Sequence, residues 1–160
     1  MRTTARVFLF LLAAVVDASG FLAPGWLAGR PLLFVALAVG FGLRSNILTG
    51  GAWGFTGGLV LGVLCADLNV GPRILAGMLA GSVPVAMRRL LFWQRWPGQA
   101  VLGALAALVF DLGLLSVGYT RGEMAGPALC VVPGVVMDTV LTGAACPLLM
   151  RLMGRLEGRY

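Results

Sequence analysis

The chain has 160 residues, of which 59% are hydrophobic and only 11% charged, and its mean hydropathy is +0.96. The net charge of +6 comes from twelve basic residues, all arginine, against six acids, with no lysine and no histidine. In a soluble protein this charge would suggest nucleic acid, but here the arginines punctuate apolar blocks long enough to cross a bilayer, which leaves no independent soluble domain and makes them topology markers.

A hydrocarbon core about 30 Å thick takes ~20 apolar residues in a helix, so residues 1–160 read as a single transmembrane domain, an all-α bundle of about six helices. The first span, 7–22, follows Arg2 and Arg6 and contains Asp17. Its charged start, apolar run and Ala18-Ser19-Gly20 also fit a cleavable signal peptide, but the membrane-like chain downstream would then lose its first span. The second block begins at Arg30-Pro31 and runs to Leu43, short for a span unless Trp26 and Leu27 join it at the interface to give 26–43; Arg44-Ser45-Asn46 ends it. The third covers 51–66 and the fourth 72–87; Arg88, Arg89, Arg95 and Pro97 separate the fourth from the fifth, 98–119. After Arg121-Gly122-Glu123 the sixth runs over 125–150, closed by Arg151, Arg155 and Arg159.

With the N-terminus in the cytoplasm, only Arg30, Arg73 and Arg121 fall outside, which favours six spans with both ends cytoplasmic. A five-span chain would put the C-terminal arginines outside, against the same rule.

Gly50, Gly54, Gly58 and Gly62 recur every fourth residue and form one smooth strip along the third span; Gly77 and Gly81 repeat the spacing in the fourth. Such strips let helix backbones approach closely, either within one protomer or against a partner's helix. Cys65, Cys130 and Cys146 are isolated in apolar runs and read as small packing residues, without zinc or disulfide spacing.

Intramembrane carboxylates default to functional candidates. Asp111 and Asp138 fall mid-span, Asp17 and Asp67 near outer helix ends. For the mid-span pair, one reading is an acid that is protonated or hydrogen-bonded to a neighbouring helix; the others are a proton or substrate site, or a hydrolytic dyad. Small membrane aspartyl peptidases have about this length, but the Asn-rich and Gly-Gly-x-x-Asn-like segments around their aspartates are missing here. Ser82 stands outside any GxSxG elbow and has no histidine to serve as its base. Phosphate loops, dinucleotide fingerprints and metal-ligand clusters are likewise missing, so the expectation is a protein without catalytic residues, cofactor or metal.

The order of motifs resembles the MreD family of bacterial rod shape-determining membrane proteins. The similar features are Arg30-Pro31 opening the second span, Gly54-Phe55-x-x-Gly58-Leu59 in the third, Val70-Gly71 with Arg73-Ile74-Leu75 entering the fourth, Leu108-Val109-Phe110-Asp111 in the fifth and Pro147-Leu148-Leu149-Met150-Arg151 closing the sixth. One departure is Gly62, where the family usually has an aspartate, with Asp67 following five residues later.

The resemblance implies a non-enzymatic inner-membrane subunit of the cell-elongation machinery, embedded in the lipid bilayer and with no nucleic-acid partner. It would bind MreC and, through it, influence the synthase formed by RodA and a class B penicillin-binding transpeptidase, with MreB filaments on the cytoplasmic side. It also implies a fold similar to the substrate-binding subunits of energy-coupling factor transporters, hence an alternative role in small-molecule capture. That role needs convergent polar groups in an outward pocket, and Asn69, Arg73, Tyr119, Arg121 and Glu123 are sparse for it. Candidate packing or partner-contact residues are Arg30, Pro31, Gly54, Phe55, Gly58, Gly62, Asp111, Asp138 and Pro147.

Overall fold

The computed structural model describes residues 2–20, 29–65, 70–90, 92, 94–122 and 131–156. These form six helices: α1 (Arg2–Ser19), α2 (Leu33–Arg44), α3 (Ile47–Leu64), α4 (Val70–Ala86), α5 (Trp96–Thr120) and α6 (Val132–Leu156), with a 3-10 turn at Met87–Arg89 after α4. Among the described residues there is no strand. Four helical stretches, Ile47–Leu64, Val70–Arg89, Trp96–Thr120 and Val132–Arg155, are long and apolar enough to cross a membrane.

Local chemistry sets several of the boundaries. Asn46 caps α3 by accepting the Thr49 N–H at 2.8 Å, so this helix starts at Ile47 and not at the expected residue 51. Pro97 sits in the first turn of α5, where the missing N–H has no intrahelical partner to lose, and the helix opens at Trp96.

The sixth helix continues past Arg151, which was expected to close it, to Leu156 and not 150, and its described part begins at Val132. The second span departs as far: the α2 helix begins at Leu33, not near residue 26, and with 12 residues it is only about 18 Å long. Pro31 disfavours helical geometry at Arg30, and residues 29–32 have no regular secondary structure. Trp26 and Leu27 lie outside the described residues.

Every residue of α2 from Phe34 to Leu43 is buried, as its all-round apolar sequence demands. The other helices surround it in an arc, α1 against α3, α3 against α4, α4 against α5 and α5 against α6, each also touching α2. Among the described residues, α1 and α6, the two ends of the arc, do not pack closely on each other.

Aromatic contacts tie the hub to its surroundings. Trp53 on α3 lies 4.8 Å by ring centroid from both Phe10 and Phe41, and Phe34 meets Phe110 edge-on at 5.3 Å.

The glycine strip is used inside the protomer. A Cβ at Gly54 would run into the carbonyl of Gly77, one at Gly58 into that of Arg73 and one at Gly50 into that of Gly81, while Gly62 faces Val70. The α3 and α4 backbones thus approach closely, where dispersion replaces the hydrophobic drive that lipid removes. Phe55 points away from this contact and is exposed. On α6, Val132, Val136, Val140, Leu148 and Leu152 form an exposed apolar stripe at multiples of four residues, suited to lipid.

Candidate functional site: a polar centre at the start of α2

A helix that begins inside an apolar bundle presents N–H groups that its own turns cannot satisfy. At α2 the residue in the capping position, Leu32, offers no side-chain acceptor. Asp17 of α1 supplies one: its Oδ2 accepts the Phe34 N–H at 2.8 Å. Thr142 of α6 accepts the Leu32 N–H on Oγ1 at 2.9 Å. Asp138, one turn earlier on α6, accepts the Arg30 N–H on Oδ1. The Arg30 guanidinium turns to α1 and donates from Nη1 to the Asp17 carbonyl at 3.2 Å. Residues 29–32 therefore bridge α1 and α6 where the arc of helices is open.

Gly29 makes this fit possible, since a Cβ there would overlap the Met137 and Asp138 side chains. Asp111 on α5 lies at the same level, since its neighbour Phe110 meets the Phe34 ring edge-on at 5.3 Å. Asp17 Oδ1 and Asp111 Oδ2 are buried, and neither has a hydrogen-bond partner among the described residues. The Arg30 guanidinium thus shares this level of the bundle with three carboxylic acids, Asp17, Asp111 and Asp138. The acids are spread around Arg30: among the described residues no three metal-ligating side chains are grouped for a shared ion.

The depth of the centre follows from helix rise. Asp138 lies about 20 Å along α6 from Arg151, Asp111 about 24 Å along α5 from Arg95, and Leu33 about 17 Å along α2 from Arg44. Arg44, Arg88, Arg89, Arg95, Arg151 and Arg155 share one end of the bundle, where the Arg44 guanidinium bonds the Met150 carbonyl at 2.7 Å and Arg88 the Ser45 carbonyl at 3.4 Å. The centre is therefore about 20 Å above the arginine-rich end, within a core about 30 Å thick.

Of the candidates named from sequence, Arg30, Pro31, Asp111 and Asp138 come together here. Gly54, Gly58 and Gly62 lie at the α3–α4 contact, Phe55 is on the outer surface, and Pro147 is fully buried inside α6 beyond Thr142. Asp67, Asn69, Glu123, Cys130 and Arg159 are outside the described residues.

Sequence reasoning placed Asp17 near a helix end and missed it as the cap of another helix; it passed over Thr142 altogether. A hydroxyl inside an apolar span was the available signal. Cys146 packs against Gly103 in the α5–α6 contact, and the Ser82 hydroxyl bonds the Met78 carbonyl of its own helix at 2.8 Å. No family profile, curated protein or solved structure matches the chain.

Proposed function

We propose that this chain is a non-catalytic, MreD-like subunit of the bacterial cytoplasmic membrane that binds the single transmembrane helix of MreC. Through MreC it influences the synthase formed by RodA and a class B penicillin-binding transpeptidase. Its six helices all belong to the bilayer, with both termini and the arginine-rich end cytoplasmic.

The observation that supports this reading most is the segment 29–32. It is irregular backbone at membrane depth, and Arg30, Pro31 and Asp138 are only partly buried. Irregular backbone does not face lipid; protein or water must cover it. A partner helix seated between α1 and α6 supplies that cover and completes the arc. The resemblance rests in part on these residues, Arg30-Pro31, and on Asp111 beside them.

The test is complementation of a rod-shaped bacterium lacking its own MreD, with MreC recovery measured on the tagged chain. Restored rods and co-purified MreC support the proposal; round cells and no MreC at normal abundance contradict it.

A second reading, small-molecule capture in an energy-coupling factor transporter, is favoured by the buried oxygens of Asp17 and Asp111 that have no hydrogen-bond partner among the described residues. Water in place of a partner helix would then cover the segment. Recovery with an ATPase-bearing transporter complex in place of MreC supports it.

A further inference from the structure

The connection between α4 and α5 combines two features that the polar centre does not use. Leu90 is 79% exposed, Phe92 81% and Trp96 58%, although each is a large apolar side chain. Between and beside them stand Arg88, partly buried, and Arg89 and Arg95, both exposed. The Arg95 guanidinium carbon lies 5.9 Å from the Phe92 ring centroid, a cation–π arrangement that keeps charge and ring at one level. Among the described residues no carboxylate lies at this end of the bundle.

The connection sits at the arginine-rich ends of two long apolar helices, so lipid surrounds it at the headgroup boundary. Aromatic residues settle at that boundary with ring in acyl chain and edge in headgroup, and exposed leucine and phenylalanine are stable there but not in water. Inserting Leu90, Phe92 and Trp96 sets the three guanidiniums at phosphate height, where arginine binds oxyanions through a planar fork. We propose that this connection is an interfacial site for anionic phospholipid headgroups in the leaflet at the arginine-rich end. An acidic protein partner would account for the arginines but leave the exposed leucine and aromatic rings in water.

The test uses the full chain, reconstituted in vesicles of phosphatidylcholine and phosphatidylglycerol at 4:1, then extracted in mild detergent and assayed for retained lipid by mass spectrometry. The wild type is expected to retain phosphatidylglycerol several-fold above its share in the vesicle. Each arginine removed weakens retention about fivefold, so Arg88→Gln/Arg89→Gln/Arg95→Gln should carry only the bulk ratio. Leu90→Ser/Phe92→Ser should also lower retention with all charges intact, whereas Arg151→Gln/Arg155→Gln should leave most of the enrichment in place. If the triple variant fails to fold, the single Arg89→Gln and Arg95→Gln variants carry the comparison. Bulk-ratio lipid on the wild type, equal loss in the Arg151/Arg155 variant, or unchanged enrichment in the Arg88/Arg89/Arg95 variants overturns the proposal. So does unchanged lipid with loss of an acidic protein partner. None of these readings requires MreC, so the lipid site stands or falls apart from the proposed function.

Discussion

The carboxylate of Asp17, near the end of α1, accepts the amide N–H of Phe34 at 2.8 Å and so caps a helix that is not its own. This lets α2 begin about 17 Å from its arginine-bearing end, in the bilayer and not at its surface. Leaving the first-turn donors of α2 unsatisfied costs about 1–3 kcal/mol, more than a typical hydrogen bond contributes. Asp17→Leu should therefore lower thermal stability in detergent by several degrees, while Asp17→Asn, which keeps an acceptor oxygen, should lose less than half as much. Equal stability of the wild type and the leucine variant would show that Asp17 does not hold the start of α2.

The α3–α4 contact makes a sharper test of packing. Gly54→Leu forces a side chain onto the Gly77 carbonyl, and overpacking costs about 1–3 kcal/mol or more where backbone cannot yield. Folded yield by size-exclusion profile should fall severely. Gly71→Ala is the control: a Cβ there meets nothing within 4 Å, so its folded yield should match the wild type. Wild-type yield of Gly54→Leu would mean that α3 and α4 are not in backbone contact.

Asp111 behaves differently from Asp17. Its Oδ2 is buried with no hydrogen-bond partner among the described residues, so the reading of Asp111 as an acid bonded across helices receives no support from that oxygen. Asp111→Leu ends the desolvation cost of that oxygen but also removes an acid from the neighbourhood of Arg30, two effects of opposite sign. Asp111→Leu is expected to stay within a few degrees of the wild-type melting temperature. Loss of shape complementation in that stable variant would identify Asp111 as a functional carboxylate; a marked drop in melting temperature would show a structural partner instead.

The orientation of the bundle rests on the arginines. Reporter fusions after Arg95 and after Tyr160 should both read cytoplasmic, and a periplasmic reading after Tyr160 would remove the six-span topology.

Much of the bundle was legible from sequence because lipid imposes a simple rule: apolar blocks become helices and arginines mark their ends. Thus α3, α4 and α5 lie within about a turn of their expected bounds, as capping by Asn46 or Pro97 decides, whereas α6 runs over Val132–Leu156 and not 125–150. The start of α2 was legible only in part. Arg30-Pro31 marks a break in the second span, but the group that allows α2 to begin at Leu33 is on another helix, distant in sequence. The gathering of Asp17, Arg30, Asp111, Asp138 and Thr142 was hidden for the same reason, since each is a lone polar residue in its own span. The glycine strip was legible as a contact but not in its target, because α4 and a partner's helix demand the same small residues.

The central claim is that a partner's helix covers the irregular segment between α1 and α6, and crosslinking at that segment tests it most directly. A photo-crosslinking amino acid at Pro31, with Leu59 on the outer face of α3 as the control position, would be activated in cells that also express tagged MreC. The account predicts a covalent MreC adduct from position 31 and little or none from position 59. Absence of an adduct at 31, with the variant folded and MreC recovered on the chain, would contradict it.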